Sequence, residues 1–150
     1  MSEQEYVTFR IGGQIFGASV SEIQDVFSPV HMTPVPKAAG EIAGVLNLRG
    51  RIVTAICARA RLGLPDLESD APEPLAIGVE RDGENFGIII DAVGEVLRLD
   101  EGDLEENPVN LDRTWASVSK GVYRLENTLL VIMDIDRMLA SPDAGEQAAA

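Results

Sequence analysis

A tight polar turn lies in the stretch Asn47-Leu48-Arg49-Gly50-Arg51-Ile52-Val53, between the apolar run Ile42–Leu46 and the β-branched run Ile52–Ile56. Gly50 can adopt backbone angles that a residue with a Cβ resists. Arg49 carries a planar, permanently charged set of donors, which suits it to gripping a partner rather than to moving protons. The stretch therefore predicts a rigid turn whose arginine is a docking feature.

From the residues alone, a second interpretation of Arg49 stays open. In it, the guanidinium pairs with a carboxylate such as Asp25 and only ties a loop, as surface arginines commonly do for little energy. The turn sequence by itself does not distinguish a docking arginine from a structural one.

The chain is acidic, with a net charge of −13, and its 150 residues are about the length of one domain. This charge argues against nucleic acid and against an anionic membrane surface, because both attract clustered Lys and Arg. The lone Cys57 cannot form an internal disulfide, which suits a reducing cytosol. The polar N-terminus has no signal pattern, and no apolar run is long enough to span a bilayer. We expect a soluble, cytoplasmic protein without direct membrane insertion.

Strand patterns outnumber helix patterns, and glycine or asparagine turns separate them. Three hairpins are predicted, across Gly12-Gly13, Asp82-Gly83 and Glu126-Asn127. The remaining predictions are extended structure after a brief turn in 21–27, a helical turn or loop in 38–46, a strand in 52–57 that buries Cys57, one or two helical turns in 58–64, and a short helix in 134–139.

The opening pattern returns after an acidic, proline-bearing connector at 66–74. Phe16-Gly17 and Phe86-Gly87 both stand at the start of a returning strand, and each is followed by an apolar run with interspersed acids. This parallel makes two structural halves of related plan plausible. Many short strands with glycine turns predict a mostly β pair of barrels.

The residue types that carry catalysis are not clustered in this sequence. His31 is the single histidine, so no second histidine can complete a metal site with Cys57. The carboxylates sit in turns and connectors, where they stay solvated, and no phosphate-binding glycine loop occurs. An enzyme or ligand-binding barrel would need polar residues clustered towards a cavity. We therefore expect no catalysis, no cofactor and no metal.

The run Ala43–Val53 resembles the signature region of the CheW family of bacterial chemotaxis adaptors. Further segments match in order: Phe9–Phe16 is similar to the family's first hairpin, and Ile23-Gln24-Asp25-Val26 to its apolar-Gln-Glu-apolar segment. Ile90–Leu97 and Leu129–Leu139 resemble its second-half run and its final strand and helix. The resemblance covers nearly the whole chain.

The sequence departs from the family pattern at several positions. Thr54 replaces the usual proline, and Cys57-Ala58 precede Arg59 where the family has Asp-Leu, so the aspartate that would pair with a neighbouring arginine is missing. Asp25 is one methylene shorter than the usual glutamate. Pro108–Lys120 matches poorly.

The resemblance implies two SH3-like five-stranded β-barrels packed around a shared core, with short helices in connections and at the C-terminus. We expect one CheW-like domain over residues 5–140, with halves at about 10–65 and 74–140. The N-terminal strand is a candidate to pair with the second half, and residues 141–150 are expected to form a disordered tail.

The implied function is a non-catalytic scaffold that couples chemoreceptors to the histidine kinase CheA in membrane-associated receptor arrays. It would bind the receptor's cytoplasmic tip and the kinase's regulatory domain. Two alternatives stay open: an adaptor of a chemotaxis-like pathway with another output, and a CheW-like domain trimmed from a larger signalling protein. The resemblance assigns binding to Ile23, Asp25, Val26, Asn47 and Arg49, and turn shaping to Gly50.

Overall fold

A computed structural model describes residues 3–29, 32–34, 42–65 and 73–140. The strands are β1 (Glu3–Ile11), β2 (Gln14–Ser19), β3 (Asp25–Phe27), β4 (Ile42–Leu48), β5 (Arg51–Cys57), β6 (Leu75–Arg81), β7 (Glu84–Ile90), β8 (Ala92–Asp100), β9 (Ser119–Arg124) and β10 (Leu129–Met133). The helices are α1 (Ala58–Arg61), α2 (Arg113–Ala116) and α3 (Ile135–Leu139), and 3₁₀ turns cover Val20–Glu22 and Glu101–Asp103. His31, most of the 66–74 connector and the predicted tail at 141–150 lie outside the described residues.

The strands form two five-stranded sheets, in the orders β8-β1-β2-β10-β9 and β3-β6-β7-β5-β4. Most neighbours are antiparallel, but β2 with β10 and β5 with β7 are parallel pairs. Each sheet takes strands from both parts of the chain, and β1 pairs along its length with β8. The prediction of a mostly β fold with two five-stranded units is confirmed.

The two sheets share one hydrophobic core. Phe9 and Phe16 enter it from the first sheet, Ile77 and Ile88 from the second, and Met138 from α3, and each is at most 1% exposed. Successive side chains of a strand point to opposite faces of its sheet. The strand residues that point away from the shared core therefore form a second, smaller cluster on each sheet. The shared core thus fixes how the two sheets pack.

Three local predictions need correction. Ile42–Leu46 is a strand, not a helical turn, because a bulge between Ile42 and Gly44 disrupts the alternation that marks strands. Cys57 is half-buried rather than buried. The helix α2 was not predicted, although its Trp115 packs edge-on against Phe16 with ring centroids 5.5 Å apart.

An ion pair follows the paired ends of β5 and β7 in the second sheet, and one of its oxygens also binds the first sheet. Arg59 Nε and Nη2, just after β5, donate to Asp91 Oδ1 and Oδ2 at 2.8 and 2.7 Å. The Gly12 amide, in the β1–β2 turn, donates to the same Asp91 Oδ2 at 2.9 Å. Arg59 therefore finds on a distant element the carboxylate that the local sequence lacks.

The pKa of Asp91 reflects this environment. Partial burial alone would raise the pKa, but the Arg59 hydrogen bonds, the Gly12 amide and the Arg59 charge together lower it. The carboxylate is therefore held in its charged form, as a bidentate arginine pair requires.

Candidate docking site at the arginine turn

The predicted turn at Arg49-Gly50 joins β4 and β5 as a two-residue hairpin loop. Leu48 pairs with Arg51, and φ is +53° at Arg49 and +84° at Gly50. Positive φ at both central residues is the requirement of a type I′ turn, whose twist matches that of the flanking strands. Asn47 Oδ1 accepts a hydrogen bond from the Gly50 amide at 2.9 Å and braces the loop.

Two other hairpins have the same pair of positive φ values, at Gly12-Gly13 and at Asp82-Gly83. Type I′ turns favour glycine, asparagine or aspartate at the first of these positions. Arg49 is none of these, and a residue with a Cβ costs about 1–2 kcal/mol in the left-handed region. Such strain is typical of functional sites. The turn therefore has an arginine at a position where the backbone conformation favours glycine, asparagine or aspartate.

The Arg49 side chain is 75% exposed, and its Nη1 lies 3.8 Å from Asp25 Oδ2. Both interpretations of this arginine therefore stay open: the contact with Asp25 fits an arginine that ties the loop, and the exposure to solvent fits one that is available for docking. An ion pair this long and exposed is worth about 0–1 kcal/mol at most. Asp25 therefore holds the guanidinium only loosely.

The turn also lies where the edges of the second sheet approach each other. Asp25 is on the edge strand β3, whereas Arg49 follows the opposite edge strand β4. A second contact between these edges joins Arg51 Nη1 to Gln24 Oε1 at 3.4 Å. The sheet therefore curls until its two edges meet, and residues 25 and 49 come together despite their separation in sequence.

Two large apolar side chains near these residues face solvent. Val26 on β3 is 41% exposed, and Ile52, paired with Asn47 across the β4–β5 hairpin, is 63% exposed. Ile23 is half-buried and packs against the shared core, so it offers less open surface than the sequence suggests. Ile52 was missed as a site residue, although its alternation with the buried Val53 was the available signal.

A metal centre has no support in the described part of the chain, where no group of three or more His, Cys, Asp or Glu is arranged to hold an ion. No described helix is long and apolar enough to cross a membrane. The arginine turn presents a guanidinium, a carboxylate and exposed apolar surface.

Two five-stranded β-sheets around a shared core, with an exposed arginine on a two-residue turn, define a small β-rich domain. The chain belongs to the family of CheW-like domains, whose model matches residues 5–143. The resemblance stated from the sequence is thereby confirmed.

Two curated relatives are named chemotaxis protein CheW. The Thermotoga maritima protein is 30% identical over 139 residues, covering 93% of this chain and 89% of the relative. The Bacillus subtilis protein is 29% identical over 136 residues, covering 91% and 86%. The crystal structure of the scaffolding protein TtCheW from Thermoanaerobacter tengcongensis matches with a TM-score of 0.83 over 95% of this chain and 91% of that chain. Its 24% identity supports the fold alone.

Replacing Gly50 with valine should destabilise the fold by about 1–2 kcal/mol, because a β-branched residue strongly resists positive φ. A Cβ at Gly50 would meet no atom within 4 Å, so the loss would come from the backbone rather than from a clash. Urea unfolding measures it, with Gly50→Asn as the control, since asparagine tolerates this conformation. Equal stability of the valine variant and the wild type would contradict the assigned turn.

Proposed function

We propose that the arginine turn docks the cytoplasmic tip of a chemoreceptor, and that the protein thereby couples receptors to the histidine kinase CheA without catalysis. The observation that carries the proposal is Arg49, which is 75% exposed on a backbone conformation that disfavours arginine. An arginine with a purely structural role would be expected to be better buried and more tightly paired.

The groups around the turn suit the side of an amphipathic helix. Val26 and Ile52 supply exposed apolar surface that such a helix can cover. Arg49 can donate to a carboxylate or to the free carbonyls at a helix end, which carry a partial negative charge. Asp25 and Asn47 keep the guanidinium and the turn in position, while Ile23 supports β3 from the core side.

The proposal extends to the whole chain. Residues 5–140 form one CheW-like domain, in which each sheet takes strands from both parts of the chain. The kinase's regulatory domain is the second partner, so that the protein links receptor and kinase. The protein works in the cytoplasm at membrane-bound receptor arrays. The names of the relatives support this role.

The test is a co-sedimentation of the purified protein with receptor-bearing membranes, with and without kinase. The wild type should sediment with the membranes and should increase the amount of kinase in the pellet. Arg49→Ala should reduce both effects. Arg124→Ala is the matched control, because Arg124 is 65% exposed in an ion pair on the other sheet. If the Arg49→Ala protein sediments with the membranes to the same extent as the wild type, the turn is excluded as the receptor site.

A further inference from the structure

A glycine lies beside Asp25 in the second sheet. Gly78, in β6, is in register with Asp25 of β3 on one side and with Gly87 of β7 on the other. The φ of Gly78 is not in the left-handed region, so its backbone conformation does not require glycine. A glycine inside a strand weakens the strand, and it often marks a place where another group approaches the backbone closely. The space above Gly78, rather than its conformation, accounts for the glycine.

The side chains of Asp25 and Phe27 fill that space. A Cβ on Gly78 would overlap Asp25 Oδ1 and would lie 3.3 Å from Asp25 Cγ. The same Cβ would lie 3.5 Å from Phe27 Cε1, which is an ordinary van der Waals contact. The carboxylate of Asp25 is therefore the group that needs position 78 to have no side chain. We call this space, above Gly78 and filled by the Asp25 carboxylate, the Gly78 notch.

The Gly78 notch determines how closely Asp25 approaches Arg49. The side chains of Asp25 and Asp91 are similarly exposed, at 18% and 17%. Asp91 Oδ2 lies 2.7 Å from Arg59 Nη2. Asp25 Oδ2, by contrast, lies 3.8 Å from Arg49 Nη1, which is beyond the range of a hydrogen bond. Because Asp25 Oδ1 lies over β6, whereas Arg49 follows the opposite edge strand β4, the notch holds the carboxylate away from the guanidinium.

We propose that Gly78 is a positioning residue of the arginine turn, because it gives the Asp25 carboxylate a place away from Arg49 and so leaves Arg49 available to a partner. The Gln24 amide donates to the Gly78 carbonyl at 2.8 Å, which fixes the backbone of β3 beside the notch. A side chain at position 78 would therefore move the carboxylate rather than the strand, off β6 and towards Arg49. The closer ion pair would compete with a receptor for the guanidinium. This inference rests on the proposed receptor contact of Arg49, but the notch itself can be tested in the free protein.

The first measurement follows the Arg49 Nε–H signal of the free, ¹⁵N-labelled, full-length protein by NMR. We expect Gly78→Ala to shift this signal and to slow its exchange with water, because a guanidinium in a closer, hydrogen-bonded ion pair is better protected. Gly102→Ala is the matched control, since its Cβ would lie 3.3 Å from Asp100 Oδ1, close to an aspartate but without overlap. If both variants leave the Arg49 signal as it is in the wild type, the proposal is overturned.

The second measurement titrates the same proteins with a receptor-tip helical hairpin fragment. Gly78→Ala should weaken binding about two- to fivefold, which is the effect of one exposed ion pair that the fragment has to break. In an Asp25→Ala background, Gly78→Ala should leave the affinity unchanged, because the competing carboxylate is absent. An equal loss of affinity in both backgrounds would overturn the proposal, since Gly78 would then act through a group other than Asp25.

Two further outcomes separate the notch from the receptor contact and from folding. If the wild type does not bind the fragment, the proposed receptor site is wrong, and the Arg49 signal of the free protein still decides whether the notch holds Asp25 back. If Gly78→Ala does not fold, the double variant Asp25→Ala/Gly78→Ala should fold, because the overlapping Oδ1 has been removed. A double variant that is also unfolded would overturn the proposal.

Discussion

Replacing Asp91 with alanine should lower the free energy of unfolding by about 2–3 kcal/mol, because hydrogen bonds to charged groups are worth about 1.5–3 kcal/mol. Asp91 accepts two bonds from Arg59 and one from the Gly12 amide, and it holds an element of each sheet. Its removal also leaves Arg59, whose side chain is 18% exposed, without that partner. Urea unfolding measures the loss.

Arg98→Ala is the control for this prediction. Arg98 forms a 3.7 Å ion pair with Glu3 in which both side chains are more than 60% exposed, so its loss should change stability by less than about 0.5 kcal/mol. If the Asp91 and Arg98 variants unfold at the same urea concentration, the hydrogen bonds of Asp91 to Arg59 and Gly12 do not contribute the predicted stability.

The contribution of Asp91 should also depend on pH in a known direction. The pKa of Asp91 is lowered in the folded protein from 3.8, the value of a free aspartate. The stabilisation is therefore complete above a pH of about 3.8 and is lost as the pH falls through the lower, folded-state pKa. The difference in stability between wild type and Asp91→Asn should be constant near neutral pH and should shrink below that value. A difference that grows in acid would contradict the assigned charge state.

Replacing Arg49 with asparagine should separate binding from stability. Asparagine suits the first position of a type I′ turn better than arginine, so stability should stay equal or rise by up to about 1 kcal/mol. The loss of the 3.8 Å contact with Asp25 subtracts little from this. Binding to a receptor-tip fragment should fall at least about tenfold, since a charge-assisted hydrogen bond at an interface is lost.

The matched position for this prediction is Asp82, which has the same φ of +53° in the β6–β7 turn. Asp82→Asn should change neither stability nor binding by much, whereas Asp82→Arg should cost stability without adding receptor affinity. A combined loss of stability and binding in Arg49→Asn would favour the interpretation that Arg49 only ties the loop to β3.

The hairpins were predictable because glycine turns and two-residue periodicity are local signals. Gly12-Gly13 and Asp82-Gly83 marked their turns, and the flanking strands follow. The strand β4 was not predictable in this way, because the bulge at Gly44 imitates helical spacing. The helix α2 is held by packing of Trp115 against Phe16, a contact between segments far apart in sequence.

The site was predictable in its residues but not in its geometry. The sequence indicated Asn47, Arg49 and Gly50 as one turn, yet the positive φ of Arg49 follows from the twist of the strands that it joins. The contact with Asp25 requires the two edges of the second sheet to meet. The Arg59–Asp91 pair likewise depends on the parallel pairing of β5 with β7, two strands that are distant in sequence, which no local pattern reports.

The central claim is that Arg49 is kept on a strained turn for docking. Its most direct test is a calorimetric titration of wild type, Arg49→Asn and Asp82→Asn with a receptor-tip helical hairpin fragment, alongside urea unfolding of the same samples. We expect Arg49→Asn alone to lose affinity, by at least about tenfold, while both variants are at least as stable as the wild type within about 0.5 kcal/mol. Undiminished affinity of Arg49→Asn would contradict it.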